Sequence, residues 1–262
     1  MDDSPLTPRQ RDVGYKQALA GILDIGEALL TNGAEVMRVE DTISRLCCAY
    51  GFARTDVFTI TSSIVITAVS REGGTYTQTR RIRSRGTDLD KVARANDLSR
   101  RLCACPVPPE KLRDAVCELH HGPVYPPKLM FFMYGVISAI FSIFFGGTFP
   151  DACAAFISGL VLYAALWAGG NLRMNGILLN TVCSAVTALA VTLLWKAGLG
   201  DSPDKIIIGN IMLLIPGLAL TSSLRDMING DTISGLLGFC EAIIKAAAIA
   251  LGSAFVLRGL GQ

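Results

Sequence analysis

Glu241 and Lys245 stand four residues apart inside an apolar run from Ile233 to Leu257. On a helix that spacing puts both on one face, and pairing lowers the cost of a charge at a bilayer centre, ~2.5–3.5 kcal/mol by insertion scales. Two chemistries fit: an ion pair that locks a helix bundle, or a carboxylate that takes up and releases protons during transport. Upstream, the segment IPGLALTSSLRDMINGD (215–231) sets Pro216 and Gly217 in an apolar context and closes on Arg225, Asp226 and Asp231. Pro216 lacks an N–H and its ring clashes with the carbonyl one turn back, so a helix from Ile206 should be kinked or broken near Ile215, freeing carbonyls around residue 212. In lipid such groups are tolerated only where protein or a water-filled cavity covers them. Discontinuous helices of this kind present backbone dipoles to a transported solute, although a plain kink without a ligand fits the segment equally well. Asn180 and Asn210 add polar surface inside apolar stretches. Arg225, Asp226 and Asp231 are expected at a cytosolic mouth, anchoring the interface or gating entry.

Other chemistry has little behind it. No G-x-S-x-G, P-loop or H-E-x-x-H occurs, and no nucleophile–base pair can be located, so an enzyme is not expected. No cofactor is implied. Of the eight Cys, the cluster Cys103, Cys105, Cys117 and His121 is the one to weigh for zinc. Its C-x-C spacing departs from structural zinc sites, and no metal is expected. The basic run of Arg80, Arg81, Arg83 and Arg85 reads as a strand end in solvent near anionic lipid headgroups, and no nucleic-acid partner is expected.

The elements that must position these residues follow from composition. Of 262 residues 51% are hydrophobic and 18% charged, with a mean hydropathy of +0.44, too apolar for a soluble domain of this size. Residues 1–128 hold 18 of the 24 Lys and Arg and 16 of the 22 Asp and Glu, so the chain has a charged half and an apolar half. The first apolar stretch is interrupted by Asp24 and Glu27, and the chain opens on the acidic Asp2 and Asp3 rather than a basic n-region, so no secretory signal is read and the N-terminus is expected in the cytosol.

In residues 1–127 the patterning predicts a cytosolic α+β domain. Leu19, Ile22, Gly26, Leu29 and Leu30 recur at helical intervals. After Thr31-Asn32-Gly33, so do Val36, Val39, Ile43, Leu46 and Tyr50. Asn32 followed by Glu35 reads as a capping box, with Glu35, Arg38, Thr42 and Arg45 forming a polar ridge on the second helix. TDVFTIT, SIVITAVS and YTQTRRIR predict a small antiparallel meander with a Gly73-Gly74 turn. Helices return over Asp88–Leu102, capped by Thr87 or Asp88, and over Pro109–Leu119.

Residues 128–262 predict a helical transmembrane domain of five spans, about 129–147, 152–170, 177–195, 206–224 and 233–257. Stretches of ~20 residues cross a core ~30 Å thick. Small residues within them allow tight helix packing or a partner subunit. Arg173 and Arg225 fall on the expected inner side and Lys196 and Lys205 on the outer, so orientation rests on the Arg-rich first domain and Lys128.

The stretches TNGAEVMRVEDTISRLCCAYG, TDVFTITSSIVITA and TDLDKVARANDLSRRL resemble the cytosolic domain of the threonine/serine exporter family. IPGLALTSSLRDMINGDTISGLLGFCEAIIKAAAIALG is similar to its membrane signature. The resemblance matches Glu35, Arg38 and Glu40 to a GAE-x-x-R-x-E pattern, and Pro216, Gly217, Arg225, Asp226, Asp231 and Glu241 to the membrane pattern. It implies a component of a bacterial inner-membrane exporter of small polar metabolites, driven by the proton-motive force and surrounded by membrane lipids. Fused members carry a second set of spans after this module. Split members pair the module with a small multi-span membrane protein and are implicated in export of dicarboxylates such as succinate. A homo-oligomer is the alternative assembly, and a membrane-anchored ligand-sensing or regulatory protein the alternative function.

Overall fold

The computed structural model describes residues 8–120, 125–172 and 174–259; His121 and Arg173, weighed above, lie outside them. In chain order the elements are α1 (Pro8–Thr31), α2 (Val36–Ala49), β1 (Phe52–Ile60), β2 (Ser63–Ser70), β3 (Thr75–Arg81), α3 (Leu89–Ala104), α4 (Pro109–His120), α5 (Pro127–Phe144), α6 (Phe149–Asn171), α7 (Gly176–Lys196), α8 (Pro203–Ile211), α9 (Gly217–Ile228) and α10 (Thr232–Gly259). They fall into two compact units, Met1–Pro123 with Leu218–Phe239, and Val124–Gly217 with Cys240–Gln262. Residues 218–239 thus group with the N-terminal elements, and α10 passes from one unit to the other.

In the first unit α1 is the central element, packed against α2, α3, α4, β2 and β3. Its stripe of Leu19, Ile22, Leu29 and Leu30 is fully buried, as are Ile43 and Leu46 of α2 and Ile64 and Ile66 of β2. Each such side chain stabilises the unit by about 1.5–3 kcal/mol. The strands form an antiparallel meander in the order β1-β2-β3, with Ile60 opposite Ser63 at the first turn and Val69 opposite Thr75 at the second. Ile64, Ile66, Ala68 and Ser70 alternate inward along β2, the period-2 pattern of a half-buried strand.

Local chemistry departs from the sequence reading at two places. Asn32 and Glu35 do not form a capping box: Asn32 Nδ2 donates to the Ala28 carbonyl at 2.6 Å, closing the end of α1 instead of opening α2. The reason lies in the turn. Gly33 takes φ +97°, and the loop before α3 straps the segment through Gly86 N–H to Thr31 O (2.8 Å) and Asp88 N–H to Asn32 O (3.0 Å), so Asn32 belongs to the first helix. Arg80, read as solvent-facing, pairs with Asp24 and, at 3.0 Å, with Glu27, which accounts for the two acids that interrupt the apolar face of α1. The expected cap of α3 is present, with Lys91 N–H donating to Asp88 Oδ1 at 3.0 Å.

Four helices among the described residues are long and apolar enough to cross a membrane: α5, α6, α7 and α10. The stretch expected as a span over 206–224 is not one helix. It is divided into α8, of nine residues, and α9, of twelve, with turns over 212–215 before Pro216. The missing N–H and the ring clash of Pro216 are the physical cause.

In the second unit α8 packs against α5, α6 and α7. Glycine makes the α8–α5 approach possible, since a Cβ at Gly209 would lie 2.6 Å from the Ser138 carbonyl oxygen; Gly252 of α10 plays the same part against α7, where a Cβ would lie 2.3 Å from the Thr181 carbonyl oxygen. Asp151, fully buried, completes a capping box with Thr148 at the start of α6, and its Oδ1 accepts the N–H groups of Asp201 (2.7 Å) and Ser202 (2.8 Å). One carboxylate therefore ties the α5–α6 turn to the α7–α8 turn.

Candidate functional site

An α-helix leaves the N–H groups of its first turn without intrahelical partners. At the start of α2, Glu35 occupies the N-cap position but its side chain makes no capping hydrogen bond. The Val36 N–H donates instead to Asp226 Oδ1 of α9 at 3.3 Å, across 190 residues of sequence. Glu35 turns its carboxylate to Arg225, the neighbouring residue on α9, and the two form an ion pair. Asp226 is only 4% exposed, whereas the Arg225 side chain is 58% exposed, so these adjacent residues divide the work of closing a helix end and lining a surface.

One turn along α2, Glu40 Oε1 accepts the Thr59 N–H at 2.7 Å, while the Thr59 carbonyl accepts Ser234 Oγ of α10 at 3.2 Å. β1 is an edge strand, and these side chains satisfy backbone groups that no neighbouring strand reaches. Asp231 joins the cluster through backbone bonds, its N–H donating to the Asp226 carbonyl and its own carbonyl accepting the Gly235 N–H, each at 2.9 Å. Burial pushes the carboxyl of Asp226 above its ordinary range, with the charge of Asp231 adding to the effect against the pull of the Val36 N–H. Burial likewise raises Glu40; the Thr59 N–H opposes it and Asp231 again adds.

Beside this cluster lies a cleft of about 200 Å³ whose polar lining is Glu35, Arg38, Thr221, Ser222 and Arg225. Leu89 and Val92 of α3 and Leu218 of α9 supply its apolar wall. The residues singled out in two distant sequence motifs, Glu35, Arg38 and Glu40 in one and Arg225, Asp226 and Asp231 in the other, are therefore brought together within the first unit.

The remaining candidates belong to the second unit. Asn210 is fully buried on α8; its Nδ2 donates to Ser158 Oγ of α6 and to the Ile206 carbonyl, both at 2.8 Å, and its Oδ1 accepts Ser138 Oγ of α5 at 3.1 Å. Asn180 is half-buried on α7 and Gly217 exposed at the start of α9. Lys245 Nζ donates to Glu241 Oε1 at 2.8 Å, the pairing the spacing predicts, with the Glu241 side chain 50% exposed. Sequence reasoning missed Ser138 and Ser158 as partners of Asn210, and Thr59 and Ser234 as partners of the first-unit cluster. Small hydroxyl residues in apolar helices are read first as packing, and nothing local marks them otherwise. Asp151 was findable, because Thr148 three residues before it is a capping-box pattern. Among the described residues no group of three or more His, Cys, Asp and Glu side chains is placed to hold a metal ion.

The model of the ThrE family, "Putative threonine/serine exporter", matches residues 21–259. The chain belongs to this threonine/serine exporter family. Among relatives, it is 24% identical over 262 residues to the threonine/serine exporter of Corynebacterium glutamicum, covering 95% of this chain and 53% of that protein. It is 24% identical over 253 residues to the "Probable threonine/serine exporter" of Mycobacterium tuberculosis, covering 95% of this chain and 47% of that one. This member of the exporter family thus spans about half the length of those two relatives. It is also 24% identical over 239 residues to the "Probable succinate transporter subunit YjjP" of Escherichia coli, covering 90% of this chain and 91% of that protein. No solved structure matches the chain.

Proposed function

We propose that this chain is a component of a bacterial inner-membrane exporter that moves small polar metabolites, threonine- and serine-type amino acids or dicarboxylates such as succinate, outward under the proton-motive force. The observation that carries the reading is the interruption at 212–216, set between two short helices in a stretch that is otherwise apolar. A continuous helix would serve an anchor better; a broken one exposes backbone dipoles where a solute can use them. The names of the relatives support the same class, and the subunit description of the Escherichia coli protein favours work with a small multi-span partner or in a homo-oligomer.

In this reading the first unit lies in the cytosol and the second supplies five crossings: α5, α6, α7, the interrupted segment that begins with α8, and the part of α10 from Cys240. About 15 residues run from Pro203 to Gly217, and as helix they reach only ~22 Å, less than a ~30 Å core, so one end of this crossing opens into a wet vestibule. Asn210, Asn180, Pro216 and Gly217 line the route, and Glu241 with Lys245 takes part in proton coupling near the cytosolic entrance. Arg225, Asp226 and Asp231 form the cytosolic mouth together with Glu35, Arg38 and Glu40.

The test is efflux from proteoliposomes loaded with labelled serine, threonine or succinate, made with and without a candidate small membrane partner. At least one solute should leave faster under an imposed pH gradient, and Glu241→Gln should cut that rate at least tenfold. Absence of flux for all three solutes under every gradient, with and without the partner, sinks the transport reading. A regulatory protein would keep its function in the Glu241→Gln variant once folded.

A further inference from the structure

We infer that the cleft between α2, α3 and α9 is a binding site for a small zwitterion carrying one carboxylate and one ammonium group, with Arg38 anchoring the carboxylate and Glu35 the ammonium. The inference deepens the exporter reading by naming a recognition site in the first unit. Its size sets the first limit. Drug-sized ligands occupy pockets of ~300–1,000 Å³; at about 200 Å³ this cleft admits a solute of only a few heavy atoms with little room for more.

Charge sets the second limit. The polar lining carries two guanidinium groups, Arg38 and Arg225, and one carboxylate, Glu35. Glu35 and Arg225 already pair, but the pair is exposed, 26% and 58% at the two side chains, and an ion pair so open to water is held weakly and exchanges readily for another partner. Arg38, by contrast, has no carboxylate partner among the described residues. Its planar fork matches a carboxylate in two parallel hydrogen bonds.

The same lining discriminates. A dicarboxylate could engage both arginines only by bringing its second negative charge against Glu35, a like-charge contact that lowers affinity. A zwitterion meets no such conflict, because its ammonium replaces Arg225 as the partner of Glu35. The Ser222 hydroxyl suits a short polar side chain, and Leu89, Val92 and Leu218 offer its stem an apolar wall.

Equilibrium dialysis of the full chain in detergent micelles against labelled L-serine, with no gradient, reads this site independently of transport. Serine should bind, succinate should bind at least tenfold more weakly, and Arg38→Ala and Glu35→Gln should each weaken serine binding at least tenfold. Thr221→Phe, which fills the cleft without changing its charge, should do the same, so a folding defect in one variant does not decide the matter. Lys111→Ala, on α4 and outside the cleft, should bind serine as the parent does, and because binding is read with no gradient its outcome stands apart from failure of the transport reading. Absence of serine binding by the parent, equal or tighter binding of succinate, or unchanged binding in Arg38→Ala and Thr221→Phe would each overturn the assignment.

Discussion

Glu40 and Asp226 are raised for the same reason, partial burial next to Asp231, and the sign of the consequence is fixed by linkage. A carboxyl whose folded pKa exceeds its unfolded value binds more protons folded than unfolded in the interval between the two. Stability is therefore fully present below the ordinary carboxylate value and is lost as pH rises through the raised folded value. Urea unfolding of the full chain in detergent, followed by circular dichroism, should show the first unit losing stability over that interval. Glu40→Gln keeps an acceptor for the Thr59 N–H while removing the titration, so it should raise stability at neutral pH and flatten the slope. An unchanged slope in that variant would assign the pH dependence elsewhere. In the second unit Asn210 ties α8 to α5 through Ser138 and to α6 through Ser158. Interhelical hydrogen bonds in membrane proteins average ~0.6 and reach ~1.7 kcal/mol. Asn210→Ala should accordingly cost about 1–2 kcal/mol in thermal unfolding, and Ser138→Ala less.

Helices α1 to α4 were legible from their one-sided apolar stripes, and the three strands from short β-branched or aromatic runs bounded by turn residues. The break at Pro216 was legible for a different reason, since a missing donor acts locally wherever it occurs. What sequence could not show was the partner of a helix end. Asn32 and Glu35 have the right spacing for a capping box, yet Asn32 closes α1 and the N–H of Val36 is taken by Asp226, because tertiary competition for a hydrogen-bond partner leaves no trace in local spacing. The candidate cluster was half legible in the same sense: its residue types stood out in two motifs, but their convergence is a property of the fold. Two variants test the elements directly. Pro216→Ala restores the donor and removes the clash, so amide exchange over 212–217 should slow as helix fills the gap, and efflux should fall. Gly252→Ala places a methyl 2.3 Å from the Thr181 carbonyl oxygen, a backbone atom with little room to move, and should destabilise the α7–α10 contact by about 1–3 kcal/mol.

The two compact units do not follow the chain in order, because Leu218–Phe239 completes the N-terminal one. A fragment ending at residue 123 would lack Asp226, Arg225 and Ser234, leaving the start of α2 uncapped and Thr59 on β1 unsatisfied. Limited proteolysis should cut such a fragment within α2 and β1 faster than it cuts the same bonds in the full chain. During synthesis every copy of the protein passes through that incomplete state. The ribosome adds ~5–20 residues per second, so the 190 residues separating Val36 from Asp226 take roughly 10–40 s to appear. In the topology proposed above, the nascent helix-and-sheet unit waits over that interval with an open edge while the apolar helices behind it enter the membrane, the condition under which a chaperone at the tunnel exit would shield it.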